Sequence, residues 1–387
     1  MDTVSRESPI PLHVQLLNEI RHRILGGEWP AGSRIPPEHA LEREAGVSRN
    51  TVRKSLDAAR AEGLLDTVPG KGTYVTQRPG KQHGRRLIGY VVPYFRSSFD
   101  GQLIRGAESA LRPQDYHIIF ATSDGRLAEE NRTLRLLQQD GVAGVLVWPV
   151  MADDPHRHLA ELIRGGLPVG LMDRTFPGLE ADVVMCDNFG GGYLATQHLI
   201  ALGHRRIVFL CRPHMALMPV AERLRGYRQA MQDAGLDALE PALVGERQEI
   251  RTDYALRSYT DASGTDIEQL RRYLISAGRA TAIFAMNDLM AMQTLRAAEL
   301  EGVNIPQDLS VVGFDDLDFV GHLRVPLTTV SQDPFAVGHE AARRLLERIA
   351  AGADGKAQQL VLPTRLVVRA STAPLARHVS ALDLRRR

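Results

Sequence analysis

The chain has 387 residues, enough for two or three domains with ample cores, and its 44% hydrophobic and 24% charged content is ordinary for a soluble globular protein. No apolar run reaches the roughly 18 residues needed to span a bilayer. The two cysteines, Cys186 and Cys211, stand far apart beside apolar runs and read as buried free thiols in a reducing cytosol. The first ten residues, M-D-T-V-S-R-E-S-P-I, are polar and hold no signal-peptide core, which argues for a cytoplasmic location. Lys/Arg and Asp/Glu nearly balance at 47 and 46, but unevenly: residues 1–86 carry 14 against 10 and the remainder 33 against 36. The basic excess therefore lies at one end.

In chain order, Leu12, Leu16, Ile20 and Ile24 form one stripe of an amphipathic helix over about 12–25. A short helix over about 37–44 should break at Gly46. Ser48 has the chemistry of an N-cap for a second helix that ends at Gly63. On that helix Val52, Leu56 and Ala59 share one face, while Arg49, Asn50 and Arg53 fall elsewhere and face outward. This is the layout of a helix-turn-helix, whose second helix enters the major groove of DNA. Leu65–Val68 and Thr73–Val75 read as two strands around the tip Pro69-Gly70-Lys71-Gly72, a wing suited to a phosphate backbone.

Residues 9–76 resemble the GntR family of winged helix-turn-helix repressors. The resemblance is carried by P-L-H-V-Q-L (11–16), G-V-S-R-N-T-V-R-K-S-L (46–56), E-G-L-L (62–65) and G-K-G-T-Y-V (70–75). It implies that Arg49 and Arg53 contact bases or phosphates of double-stranded operator DNA, with Ser48, Asn50 and Thr51 reaching phosphates or helping the cap. Gly70 and Lys71 would serve at the wing tip. The family pattern Pro-Ser-Glu is here Pro36-Pro37-Glu38, and the following Arg is His39, so a contact there falls to a weaker, titratable donor.

Residues 77–86, Q-R-P-G-K-Q-H-G-R-R, have no apolar side chain and read as an exposed linker. Beyond it, apolar strand-like runs alternate with amphipathic stretches. The runs lie at 87–93, 117–121, 144–149, 168–172, 206–210, 282–286 and 310–314. Such runs between helices mean parallel sheets covered on both faces, which bind ligands beyond the carboxyl ends of their strands. The segment after the first strand has no glycine-rich phosphate loop, so a nucleotide cofactor is not expected. The 13 histidines show no metal-ligand spacing. No cofactor or metal is expected.

Residues 87–374 resemble the effector domain of LacI-type repressors, which shares its fold with periplasmic sugar-binding proteins. The carriers are H-L-I-A-L-G-H-R-R-I (198–207), E-R-L-R-G-Y-R-Q-A-M (222–231), T-A-I-F-A-M-N-D-L-M-A-M (281–292) and V-N-I-P-Q-D-L-S-V-V-G-F-D-D (303–316). A GntR-type head on a LacI-type body is the arrangement of the arabinose-repressor-like branch. The fold class implied is α/β: a winged helix-turn-helix over 1–76, then two doubly wound parallel-sheet subdomains, and a tail at 375–387. The first subdomain should hold about 87–187 and 317–330, the second about 188–316 and 331–374. The segment 246–264 is longer and more polar than the family pattern.

Carried over position by position, the cleft residues are Phe99, Asp100, Trp148, Asp173, Arg223, Asn287 and Asp315. Carboxylates accept from vicinal hydroxyls, a guanidinium donates in a fork, and an aromatic ring covers the C–H face of a sugar. All but Asp100 also have a plain structural alternative. Asp315 could cap a loop, Arg223 could pair with Glu222, and Asp173 with Arg174. Asn287 could be a helix N-cap, and Phe99 and Trp148 could be core. Asp187 and Asn188 look more like a cap at the subdomain crossing. The resemblance implies a homodimeric repressor released from pseudo-palindromic DNA by a small-molecule effector, best matched by a sugar among ring compounds; a corepressor-dependent regulator is the alternative. A solute-binding protein for transport fits the N-terminus poorly, and an enzyme is not implied.

Overall fold

A computed structural model describes residues 11–68, 71–76, 86–95, 97–150, 156–213, 218–245, 264–276, 280–351 and 356–375. The chain divides into two compact units, Met1–Arg86 and Leu87–Arg387.

In the first unit, α1 (Leu12–Leu25), α2 (Glu38–Ala45) and α3 (Arg49–Ala61) precede a hairpin of β1 (Leu65–Val68) and β2 (Gly72–Val75). Gly46 takes the left-handed conformation, φ 63°, that lets the chain turn at the end of α2. The Ser48 hydroxyl then caps α3 by accepting from Thr51 N at 3.3 Å. Leu16, Ile20, Leu41, Val52, Leu56 and Val75 close one core over all five elements. The strands pair antiparallel, Leu65 opposite Val75 and Val68 opposite Gly72. Pro69 and Gly70, the linker over 77–85 and the tail from 376 lie outside the described residues.

The second unit opens with β3 (Arg86–Val92), α4 (Ser98–Leu111), β4 (Tyr116–Thr122), α5 (Leu127–Gln139), β5 (Gly144–Val147), α6 (Arg157–Arg164), β6 (Val169–Met172) and β7 (Asp182–Cys186). It continues through α7 (Asn188–Ala201), β8 (Ile207–Cys211), α8 (Met218–Asp233), β9 (Ala242–Leu243), α9 (Thr265–Ile275), β10 (Ala282–Ala285), α10 (Asp288–Leu300) and β11 (Ser310–Asp315). Last come β12 (Thr328–Ser331), α11 (Pro334–Ala351), β13 (Gln359–Leu362) and β14 (Arg365–Val367). Two six-stranded sheets result, ordered β13-β7-β6-β5-β3-β4 and β14-β12-β11-β10-β8-β9. The fully buried strands β5, β6, β8 and β10 are parallel to their neighbours. Helices lie on both faces, as continuous apolar strands require.

One expectation is corrected. Residues 317–330 do not return to the first subdomain. β12 pairs with β11 in the second sheet, Val312 opposite Thr328. The chain crosses only after Ser331, and α11 then packs on α4 and on β5, β6 and β7. β13 pairs with β7 in the first sheet, and the chain crosses once more to place β14 antiparallel on β12. Most of the stretch 331–374 assigned to the second subdomain therefore belongs to the first. The reason is hydrophobic: Val337, Ala341, Ala342 and Leu345 of α11 bury against Ile88, Leu103 and Leu146. The polar segment over 246–263 lies outside the described residues.

Candidate functional site

In the head, α3 presents Arg49, Asn50 and Arg53 to solvent, with Thr51 half-buried. His39, on α2, is exposed, as is Lys71 beside the wing tip; Gly70 lies outside the described residues. Ser48 serves the cap, and its hydroxyl also lies 2.8 Å from that of Thr51. Glu38 has a role that its place in the sequence does not reveal. Its Oε2 accepts from Nε of Arg49 at 3.2 Å and from Nε of Arg53 at 3.1 Å. Burial pushes the Glu38 carboxyl up, but the two guanidinium groups outweigh it and hold it below its usual value. One carboxylate thus gathers both arginines of the outer face while leaving their side chains 66% and 56% exposed.

In the body, a cavity of about 250 Å³ lies at the carboxyl ends of the strands of both sheets. Phe99 and Asp100 reach it from the first turn of α4, Trp148 from just beyond β5, and Asp173 from just beyond β6. Arg223 comes from α8, Asn287 from the start of α10, and Asp315 from the end of β11. Asp173 and Asp315 hold positive φ, 68° and 120°, where the chain turns sharply at the strand ends.

Arg223 is fixed by its neighbours. Its Nε donates to Asn188 Oδ1 at 2.9 Å and its Nη1 to the Met286 carbonyl at 2.6 Å. The guanidinium lies 3.6 Å from the ring centroid of Phe314. The backbone below it is held by close approach of α7 and α8. A Cβ on Gly192 would stand 2.3 Å from the Arg223 carbonyl, and one on Gly226 2.1 Å from that of Phe189. On the opposite wall, Arg174 Nε donates to Asp173 Oδ2 at 2.9 Å and its guanidinium lies 5.3 Å from the Trp148 ring. The Phe99 and Trp148 rings meet at 5.8 Å.

Residues 12–75 match the family model described as bacterial regulatory proteins, gntR family, and residues 196–372 match that of a periplasmic binding protein-like domain. An arabinose metabolism transcriptional repressor of Geobacillus stearothermophilus is 28% identical over 374 residues, covering 95% of this chain and 99% of the relative. A protein of the same name from Halalkalibacterium halodurans is 30% identical over 371 residues, covering 92% and 95%. The chain belongs to the gntR family of bacterial regulatory proteins. Among solved structures, a complex of the transcriptional regulator CelR with cellobiose is 28% identical, with a TM-score of 0.62 over 87% of this chain and 100% of that one. This gntR-family protein is a DNA-binding transcriptional regulator with a LacI-type body.

The regulator brings all seven expected cleft residues to one cavity, and several also fill their structural alternatives. Asp173 pairs with Arg174. Asn287 caps α10, its Oδ1 accepting from Met290 N at 3.0 Å. Asp100 completes a capping box with Ser97. Arg223 does not pair with Glu222, which binds Arg225 at 2.6 Å. Asp187 caps α7, accepting from Gly190 N at 2.7 Å. Gln332, on the crossing after β12, escaped the sequence reading; its Nε2 donates to Asp315 Oδ1 at 2.8 Å.

Two acids lie in series here, half-buried Asp315 on the cavity wall and fully buried Asp288 next to it. Burial raises Asp315 to about 6, against the pull of Arg223. Burial and the nearby Asp315 raise Asp288 to about 8. Asp288 Oδ2 accepts from Leu317 N at 2.9 Å and Oδ1 from the Thr329 hydroxyl at 2.5 Å. It therefore ties α10 and β12 to the turn that carries Asp315. Beneath the other wall, Glu130 and His156 are fully buried with Nδ1 and Oε1 3.3 Å apart, and the imidazole lies 4.3 Å from the Phe176 ring. Glu130 Oε2 accepts from Val150 N at 2.8 Å, so this pair anchors the chain leaving Trp148.

Among the described residues, no three or more His, Cys, Asp or Glu side chains are placed to hold a metal ion, and no helix is long and apolar enough to cross a membrane. Burial pushes the thiols of Cys186 and Cys211 up to about 12.

Proposed function

We propose that this regulator represses transcription by binding operator DNA through α3 and the wing, and releases it when a sugar occupies the cleft. The observation that carries the reading is the convergence of Asp173, Asp315, Arg223 and Asn287 with the Phe99 and Trp148 rings on one cavity. Carboxylates and amide oxygens accept from hydroxyls, the guanidinium donates, and the rings cover C–H faces. The names of the relatives, an arabinose metabolism repressor and a CelR–cellobiose complex, support the carbohydrate class.

On the DNA side, Arg49 and Arg53 are the base or phosphate contacts, with His39, Asn50, Thr51, Gly70 and Lys71 around them. The regulator acts in the cytoplasm as a homodimer, so that two copies of α3 meet half-sites about 34–36 Å apart, or a multiple of that, on a pseudo-palindromic operator. Release requires that the sugar bind the low-affinity arrangement better than the DNA-binding one.

The test is fluorescence anisotropy of the full-length protein on DNA from upstream of its own gene, at several salt concentrations, with and without pooled sugars. Specific binding that weakens steeply with salt and is released by one pool is expected. Binding that tightens with a pool would reverse the sign of regulation. Specific binding indifferent to every sugar would remove the carbohydrate class.

A further inference from the structure

A second cavity adjoins the effector cavity. This outer cavity has a volume of about 540 Å³ and shares Phe99, Asp315, Leu317 and Gln332 with the inner cavity of about 250 Å³. Gln102 of α4 and Phe335 at the start of α11 line only the outer one.

Size comes first. Pockets for small organic ligands run from roughly 300 to 1,000 Å³. The inner cavity alone falls below that range, and the two together fall inside it. The junction is polar, because Gln332 Nε2 donates to Asp315 Oδ1 at 2.8 Å there. That leaves the amide oxygen of Gln332 to accept and Oδ2 of Asp315 to meet hydroxyls on either side of a linking oxygen. The outer wall repeats the aromatic chemistry of the inner one: Phe335 is 38% exposed, an unusual position for a ring that belongs to a core.

Charge narrows the class further. In the inner cavity Arg174 is paired with Asp173, and Arg223 faces Asp315. The outer cavity adds Asp316, Asp318 and Asp333 against Arg365. Neither cavity offers a cation in excess for a phosphate or carboxylate group.

We propose that the effector is an uncharged carbohydrate of at least two linked rings, one in the inner cavity and the next in the outer, joined across Asp315 and Gln332. The proposal rests on the reading of the cleft as a sugar site. The test is isothermal titration of the full-length protein with neutral disaccharides of gluco, galacto and arabino configuration, with their component monosaccharides, and with the corresponding sugar phosphates. At least one disaccharide should bind tenfold or more tighter than either component and than any phosphate. Gln102→Trp, which fills the outer cavity, should weaken that disaccharide at least tenfold. It should leave the melting temperature and binding to operator DNA unaltered. Should that variant misfold, Phe335→Ala should weaken the disaccharide more than its component monosaccharides. Monosaccharides that bind as tightly as every disaccharide, a preferred sugar phosphate, or disaccharide binding indifferent to both variants would overturn the proposal while sparing the sugar site. Failure of every carbohydrate to bind would overturn both.

Discussion

Nη2 of Arg223 lies 3.6 Å from Oδ1 of Asp315, beyond hydrogen-bond reach but within that of a close charge pair. Arg223 comes from α8 and is already spoken for by Asn188 and the Met286 carbonyl, so the pair is positioned by the protein before a ligand enters. A lysine cannot reproduce this fork. Arg223→Lys is expected to lower effector affinity at least tenfold, about 1.4 kcal/mol, with operator affinity in the absence of effector unchanged. Calorimetry and anisotropy on the same preparation check this, and an unaltered effector affinity would remove Arg223 from the site.

Asp288 gives the fold a pH dependence of definite sign. An unfolded aspartate titrates near 3.9, and the folded one is raised to about 8. Between those values the native state binds more protons than the unfolded one, so this group's contribution to stability falls as pH rises and levels off above about 8. Asp288→Asn keeps the geometry, its oxygen accepting from Leu317 N and its amide donating to the Thr329 hydroxyl, and cannot ionise. Its melting temperature is expected to drop less than that of the unmodified protein between pH 5.5 and 9. Parallel curves in thermal scans across that range would contradict the assignment.

Glu38 restrains the two arginines proposed to meet DNA. Neutralising it by Glu38→Gln frees Arg49 and Arg53 to meet any phosphate, which strengthens sequence-independent binding, while the fixed presentation that favours a particular base edge is lost. The ratio of operator to random-DNA affinity is expected to fall roughly tenfold, with a steeper salt dependence on random DNA. A variant whose ratio matches that of the unmodified protein would show that the ion pairs do not matter to recognition.

Two helical glycines should respond with opposite signs. A Cβ at Gly192 meets the Arg223 carbonyl at 2.3 Å, so Gly192→Ala forces α7 from α8 and is expected to destabilise by about 1–3 kcal/mol. Gly101 in α4 has nothing within 4 Å, and Gly101→Ala should stabilise by about 0.5–1 kcal/mol. Denaturant melts of the two variants test the contrast.

The parts of this molecule that could be read from sequence are those with local causes. Gly46 followed by Ser48 marks the turn and cap between α2 and α3, and the run R-I-V-F-L announces β8 because every residue of that strand is buried. The placing of Asp173 and Asp315 at strand ends was legible because each directly follows such a run. β13 was not legible: Q-L-V-L is apolar but only four residues long, an edge strand with alternating exposure, and its partner β7 lies far back in the chain. The same non-local pairing hid the late crossing, and with it Gln332. Glu38 and Glu130 were missed because their partners lie 11, 15 and 26 residues away, on other elements.

The late return of α11 and β13 also sets an order of events during synthesis. β7 and its neighbours leave the ribosome long before residues 334–362, so the first sheet must wait with one edge unpaired and the flank of α4 uncovered. At roughly 5–20 residues per second that wait lasts on the order of ten to thirty seconds. An unpaired strand edge is a template for pairing with another chain. The nascent protein is therefore most vulnerable to aggregation while its second sheet is being made, and that is the interval in which a chaperone has most to protect.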